Sequence, residues 1–251
     1  MTTQAPMTST ERRRSILYIA IALILAFALG GGLLKVGAGF AARNSNGITV
    51  TGSAKTSATA DNVVWTLNVS LTRPTVSEAV TKVGNDVTSV IKYLTDGGIP
   101  SDALTLGSVS TYANEQWVNG NNTGKILNYR ASRDVVVRTK DVQLVAKLAQ
   151  GIGSIMQQGV TVNNYGPQYY ISTLPALRPK LLEAAMKDAK VRAEAITKAV
   201  GGKVGAVQDV KAGVFQVTTP DSTMTQDAGA YDTSSIEKTV TSTVSVTFAV
   251  N

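Results

Sequence analysis

Neither cysteine nor histidine occurs anywhere in this chain of 251 residues. Without thiols the protein has no disulfides and no cysteine nucleophile, and without imidazole it cannot build a Ser-His-Asp triad. Zinc sites that use thiolate or imidazole ligands are excluded for the same reason. These absences remove the commonest routes to catalysis, so we expect a protein that is not an enzyme and holds no cofactor.

The acidic residues also form no recognisable catalytic or metal-binding pattern. Asp188, Arg192 and Glu194 have the spacing of ordinary charge pairs on a helix surface. An enzyme that uses only Asp, Glu, Lys or Ser stays open as an alternative. No metal site is predicted, because three aspartates near the end of the chain lack the spacing of a calcium-binding EF-hand loop: Asp221, Asp227 and Asp232.

Basic residues outnumber acidic ones, and the formal net charge is +7. Residues 1–46 account for +4 of this, while the rest of the chain carries only +3. A nucleic-acid-binding domain usually shows a dense basic patch, and residues 47–251 are too nearly balanced for one. We therefore expect no nucleic-acid partner.

An uncharged run of 19 residues, Ile16–Leu34, lies near the start of the chain. As a helix it would be about 28 Å long, close to the ~30 Å hydrocarbon thickness of a bilayer. Basic residues are denser before the run than after it, and the positive-inside rule then places the N-terminus in the cytoplasm. The residues that set this topology are three consecutive arginines: Arg12, Arg13 and Arg14.

These observations predict a single-pass protein of the inner (plasma) membrane. Residues 1–15 are expected to be cytoplasmic and residues 16–40 to form the transmembrane helix. Residues 41–47 are a short linker, and residues 48–251 form one extracytoplasmic domain, either periplasmic or extracellular. The membrane is therefore the first expected partner.

A cleaved signal peptide is the alternative interpretation of the same segment. Gly39 and Ala41 are small residues that suit a signal peptidase. The run of 19 residues is longer than the usual apolar core of a signal peptide, which favours an uncleaved anchor. Either interpretation exports the domain.

Small residues recur every four positions inside the apolar run, at Ala22, Ala26 and Gly30. This spacing allows two membrane helices to pack closely. The alternative is that alanine and glycine are simply common in membrane helices. We predict a packing role for these three residues.

The exported part alternates between strand and helix patterns. Asn62–Arg73 shows a clear period of two, which predicts a strand buried on one face. Thr75 and Glu78 form a capping box, and the helix that they begin ends at Gly97-Gly98. The other predicted strands are Ile48–Ser53, Leu104–Val118, Lys125–Thr139, Val160–Thr173, Lys203–Val214 and Glu237–Val250; the other predicted helices are Asp141–Gln158 and Pro179–Val200.

The predicted order is β-β-α-β-β-α-β-α-β-β, which is typical of an α+β fold. We expect an antiparallel or mixed sheet with about three helices packed on one face. Asn119–Gly124 is predicted to be a polar loop, and Phe215–Ser235 a long mobile one. The third helix should bury one stripe of residues: Leu182, Ala185, Ala189, Ala193, Ile196 and Val200.

Three aromatic residues are candidates for contact with a partner. Trp117 lies beside an asparagine-rich turn, and Tyr169 and Tyr170 lie on a predicted strand. Aromatic side chains contribute strongly to interfaces, but a place in the core on a strand face is an equally open interpretation for each.

Four segments of the exported part resemble the SIMPL-domain family, whose members include periplasmic oxidative-stress-defence proteins and envelope immunogens. Ile48–Ala54 is similar to the family's first strand, and Val244–Phe248 to its last strand. Ala185–Glu194 is similar to the family's D-A-x-x-R-A-E helix, and Gly201–Gly205 to the G-x-x-x-G segment that follows it. The resemblance covers residues 47–251. It implies an exported α+β domain that tends to form homo-oligomers, has no agreed enzymatic activity and in some members is linked to oxidative stress.

Two functions follow from these observations. The first is a membrane-anchored scaffold of the bacterial cell envelope that assembles with copies of itself and is linked to stress defence. The second is an envelope module that binds a small ligand or an unidentified protein partner, through the tyrosine-rich strand and the segment at 215–235.

Overall fold

A computed structural model describes residues 47–223, 226 and 228–251. The predicted membrane segment at 16–40 lies outside the described residues, as do Arg12–Arg14 and the Ala22, Ala26 and Gly30 pattern. Within the described part, no helix is both long enough and apolar enough to cross a membrane.

Ten strands and four helices make up the described chain. In order they are β1 (Gly47–Thr59), β2 (Asn62–Arg73), α1 (Val76–Asp96), β3 (Leu104–Leu106), β4 (Ser110–Val118), β5 (Asn121–Thr139), α2 (Val142–Gly151), α3 (Gly153–Gln157), β6 (Val162–Asn164), β7 (Gln168–Tyr170), α4 (Leu174–Ala199), β8 (Val204–Ala212), β9 (Gln216–Thr218) and β10 (Glu237–Val250), with a 3-10 turn at Ser101–Ala103. The strands form one four-stranded and one six-stranded sheet. This confirms the α+β class.

Contacts along the described chain define two compact units. The larger comprises Val50–Arg192 and Val210–Val246, and the smaller comprises residues 47–49, Ala193–Asp209 and Thr247–Asn251. In the smaller unit, Lys203 and Asn251 exchange two backbone hydrogen bonds, of 2.9 and 3.0 Å. The sites described below lie in the larger unit.

The six-stranded sheet is built around β5 and β2, in the order β3-β5-β2-β6. β4 also pairs with β5, β7 also pairs with β2, and every pairing is antiparallel. β2 has the predicted bounds and the predicted alternation. Its core-facing residues are all buried: Val63, Trp65, Leu67, Val69 and Leu71.

Helix α1 covers the core face of this sheet. Its first turn carries the predicted capping box, in which the Thr75 side chain accepts from the Glu78 amide and the Glu78 side chain accepts from the Thr75 amide. The apolar residues at helical spacing then meet the sheet, and most of them are buried: Ala79, Val83, Val87, Val90 and Leu94. The predicted second helix breaks at Ile152, between Gly151 and Gly153, into α2 and α3.

The four-stranded sheet has the order β1-β10-β8, with β9 beside β10. β10 has the predicted bounds, and its residues alternate between buried and half-buried positions. β1 runs to Thr59, six residues beyond the predicted end at Ser53. Sequence alone underestimated β1 because polar residues dominate its second half.

The third predicted helix begins five residues early, at Leu174 rather than Pro179. Pro179 has no N–H group, so the helix lacks the hydrogen bond that residue 179 would donate to the Pro175 carbonyl. No other backbone hydrogen bond of the helix depends on that N–H, so the helix can begin before Pro179. The prediction of the buried stripe was wrong at three positions. Leu182 is half-buried and Ile196 and Val200 are exposed, while Leu181 and Thr197 are buried with the three alanines between them.

Two predicted loops are more ordered than expected. Only Asn119 and Gly120 separate β4 from β5, and both have positive φ, of 49° and 79°. This is the two-residue Asn-Gly hairpin turn, so β5 begins at Asn121 instead of Lys125. In the segment predicted to be mobile, Gln216–Thr218 forms β9 and pairs with β10.

Candidate functional site

Strand β1 lies against helix α4 with no space for a side chain at Gly52. A Cβ built there would lie 2.1 Å from the Ala185 carbonyl oxygen and 2.7 Å from the Ala189 Cβ. Both distances are far below van der Waals contact. The glycine is therefore required by the close approach of the two elements.

Asp188 fixes the same strand to the same helix. Its carboxylate accepts a 2.8 Å hydrogen bond from the Ser53 amide and another of 2.8 Å from Arg192 Nε. The Ser53 N–H, together with the Arg192 guanidinium, lowers the pKa of Asp188. Two of the segments that carry the family resemblance thus meet here, and the structure gives Asp188 and Arg192 a positioning role.

The β4–β5 hairpin extends beyond the rest of its sheet. β2 pairs with β5 only as far as the Arg73–Tyr129 pair, so residues 121–128 of β5 have only β4 beside them among the described strands. Eight strand residues span about 26 Å. We call residues 114–128 the arm. A hairpin of two strands is at best marginally stable in water on its own.

The arm and its base expose large apolar side chains. Trp117 is 64% exposed, and at the base Tyr112 is 67% exposed. Three aliphatic residues of the arm are also exposed: Val118, Ile126 and Leu127. The turn itself is polar, because Asn119-Gly120 is followed by two more asparagines, so the apolar residues lie along the arm and not only at its end.

The predicted contact residues occupy different environments. Trp117 is on the exposed arm, as described above. Tyr169 is only 6% exposed, and its ring belongs to the main core. Tyr170 is half-buried, with its ring centroid 6.0 Å from that of Tyr231.

A buried lysine organises the end of the segment at 215–235. Lys238 is 1% exposed, and its Nζ donates to the Asp232 carbonyl oxygen at 2.5 Å and to Asp232 Oδ1 at 3.3 Å. The Asp232 carboxylate also accepts hydrogen bonds from the Ser234 and Ser235 hydroxyls. Burial of a lysine is tolerable only with such partners. This network orders residues 232–235, which end the segment predicted to be a mobile loop.

The pKa of Asp232 makes this network sensitive to acid. Burial alone would raise that pKa, but hydrogen bonds from Ser235, Ser234 and Lys238 outweigh it and lower the pKa from 3.8 to about 2. Because the folded-state pKa is the lower one, the stabilisation is present above pH 4 and is lost as the pH falls towards 2. The shift corresponds to about 2 kcal/mol.

We expect Asp232→Asn to remove this acid sensitivity. The difference in unfolding free energy between wild type and variant should shrink by about 2 kcal/mol between pH 7 and pH 2. Urea unfolding at both pH values measures it. The same difference at both pH values would show that the carboxylate is not the group responsible.

A cavity of about 360 Å³ opens between helix α2 and the turn that joins β6 to β7. Ala146 and Ala149 line it from the helix, Asn164 from the end of β6 and Tyr165 from the turn. Tyr165 is 85% exposed. The sequence places Tyr165 on the same tyrosine-rich segment, but the predicted contacts there were Tyr169 and Tyr170, because strands of three residues give too few positions to establish which side chains face outward.

A second cavity, of about 350 Å³, lies along the segment at 215–235, where Thr218, Tyr231 and Asp232 contribute to its wall.

Of the three aspartates weighed as calcium ligands, Asp221 and Asp232 lie in the described part and Asp227 lies outside it. Across the described residues, no three acidic side chains are grouped closely enough to hold a metal ion.

The structure thus defines an α+β domain with a projecting hairpin arm and two open cavities. Residues 48–248 match the model of the SIMPL family, which is described as "Protein of unknown function (DUF541)". The match covers most of the chain, and the chain belongs to the SIMPL family. A comparison with curated proteins finds no match.

Proposed function

We propose that this chain is a membrane-anchored, non-enzymatic scaffold protein of the bacterial cell envelope, and that its exported domain assembles with copies of itself through the arm. The observation that carries the proposal is the exposed apolar surface of the arm. The arm extends beyond β2, so it has no third described strand beside it. The uncharged run at 16–34, with arginines before it, supports the anchor. A link to stress defence rests on the family resemblance alone.

An exposed apolar surface of this kind usually marks an interface. Trp117 is of the type that dominates binding energy when it is buried by a partner. Among the described strands, β4 and the outer part of β5 each keep one unpaired edge, which can form hydrogen bonds with another strand. These features together favour a protein partner that lies along the arm.

A second copy of the chain fits the charges of the arm. Glu115 and Lys125 are its two ionisable residues, so the arm as a whole is neutral. Two neutral arms can therefore pair about a two-fold axis without net charge repulsion. The same surface then serves both subunits, as in most symmetric dimers. A bilayer fits less well, because the asparagine-rich turn would have to enter lipid first.

Truncation of the arm's tryptophan should weaken assembly. Trp117→Ala removes an exposed side chain, so the fold should be unaffected, but we expect self-association to weaken by about 30-fold. The measurement is the mass of full-length protein extracted in mild detergent, over a range of concentrations. Tyr165→Ala is the matched control, since it removes an equally exposed aromatic ring outside the arm.

The proposal predicts two results together. Wild-type protein should be larger than a monomer, and Trp117→Ala should dissociate at concentrations where Tyr165→Ala does not. A wild-type protein that is strictly monomeric at all concentrations rejects assembly. An oligomer that tolerates Trp117→Ala rejects the arm as its interface.

A binding module for a ligand or an envelope partner is the second candidate function. It is favoured by the cavity along the segment at 215–235, which Gln216 helps to order. The Gln216 side chain accepts from the Ala230 amide at 2.7 Å and donates to the Gln226 carbonyl at 2.6 Å. Gln226 and Ala230 are thus held beside β9, and both contribute to the wall of this cavity.

A further inference from the structure

We propose that the cavity beside Tyr165 is a binding site for a neutral saccharide, with the sugar ring on the Tyr165 ring and a sugar oxygen on the Asn164 side-chain amide. This site is separate from the arm. Saccharide binding therefore goes beyond assembly, and either can fail without the other.

The side chain of Asn164 has an orientation that its partners determine. Its Oδ1 accepts hydrogen bonds from Trp65 Nε1 and from the Gly166 amide, both at 2.9 Å. Both partners are donors only, so the oxygen must face them and Nδ2 must lie on the other side of the carboxamide. Nδ2 makes no hydrogen bond to any residue in the described ranges, and Asn164 lines the cavity. The fold thus holds a donor ready for an acceptor on a ligand.

Tyr165 supplies an aromatic face at the same cavity. A ring that is 85% exposed contributes little to the core, so its position is not explained by packing. The faces of aromatic rings carry partial negative charge, and the C–H groups on one face of a pyranose carry partial positive charge. A sugar ring can therefore lie flat on Tyr165 while its hydroxyl or acetamido oxygen reaches Asn164.

The described wall of the cavity carries no charge. Every described residue that lines it is uncharged, and the polar ones offer amide or hydroxyl groups: Gln150, Asn164, Tyr165, Tyr169 and Ser234. A charged ligand would therefore gain no counter-charge from this wall, whereas a neutral polar ligand can use its amide and hydroxyl groups. Burial raises the pKa of Tyr169, so its hydroxyl stays neutral at physiological pH. A cavity of about 360 Å³ is at the small end of the range for ligand sites, which suits one or two sugar rings.

The test uses the full-length protein in detergent and four defined sugars. Calorimetric titration with cellobiose and with N,N′-diacetylchitobiose should give a Kd of about 1 mM or tighter for at least one of them. The charged monosaccharides glucosamine and glucuronic acid should bind at least about 10-fold more weakly. Binding of neither neutral sugar, or equal binding of a charged one, overturns the proposal.

Two variants assign the binding to this site. Tyr165→Ala should weaken it by at least about 10-fold, and Tyr112→Ala, at an exposed tyrosine elsewhere, should leave it unchanged. Asn164→Asp keeps the oxygen that accepts from Trp65 and Gly166 but replaces the donor, so it should weaken binding by a similar factor. If Asn164→Asp proves unstable, Tyr165→Ala decides alone, since its side chain is not part of the core. Unchanged binding in Tyr165→Ala would place the sugar elsewhere and overturn the proposal.

Discussion

Gly52→Ala is expected to prevent the larger unit from reaching its native packing. The new Cβ would lie 2.1 Å from the Ala185 carbonyl oxygen and 2.5 Å from the Ala189 amide nitrogen. Both are backbone atoms of α4, so no side-chain rotation relieves the overlap, and strand and helix must separate. We expect a cost above about 4 kcal/mol, which is a large part of the stability of a typical domain.

The matched control for this substitution is Gly84→Ala. Gly84 lies in the middle of α1, is exposed and has no atom within 4 Å of its built Cβ. Alanine is the better helix former, so this variant should gain about 0.5–1 kcal/mol. Urea unfolding followed by circular dichroism compares the two. A Gly52→Ala protein as stable as wild type would show that β1 and α4 do not approach as closely as the structure has them.

The elements that sequence predicted well are those whose local signals agree with their packing. β2 has a strict period of two because one face meets the core, and Pro74 ends it. Helix α1 has its capping box, its apolar stripe and a glycine at its end. In such segments one short stretch of sequence determines both the type of element and the face that it buries. The element can therefore be predicted without knowing which distant residues pack against it.

The segment at 215–235 shows where local reading fails. Its many Thr, Asp and Gly residues are typical of a loop, yet Lys238 is buried and Gln216 bridges residues that are ten and fourteen positions away. Tyr231 adds a longer contact, since its hydroxyl accepts from the Ile171 amide at 3.1 Å. These partners are close only in the fold, so the composition of the segment alone could not reveal these contacts.

The candidate site at Tyr165 could not be predicted from the sequence, for a related reason. Its donor, Asn164, is oriented by Trp65, which is 99 positions away along the chain. Tyr165 lies in the turn between β6 and β7 and is exposed, whereas Tyr169 lies in β7 and is buried in the main core. The arm, in contrast, was partly foreseen, because Trp117 beside an asparagine-rich turn drew attention to it.

Trp65→Ala should produce the second large loss of stability. The side chain is fully buried in the main core, and truncation of a buried tryptophan typically costs about 3–5 kcal/mol through lost contacts and the cavity that remains. Asn164 Oδ1 would also lose the Nε1–H donor. Denaturant unfolding of the variant beside Trp117→Ala, the exposed tryptophan, measures the difference. A cost below about 1 kcal/mol for Trp65→Ala would contradict the packing described for β2.

Trp65→Phe separates the two roles of this residue. It keeps an aromatic ring in the core but removes the Nε1–H donor to Asn164 and part of the buried ring volume, so we expect a cost of about 1–3 kcal/mol. The Asn164 carboxamide is then held by the Gly166 amide alone and can rotate. If the indole positions the donor of the saccharide site, Trp65→Phe should weaken sugar binding several-fold although residue 65 does not line the cavity. Sugar binding that is unchanged in Trp65→Phe but lost in Asn164→Asp would show that the carboxamide needs no support from the core.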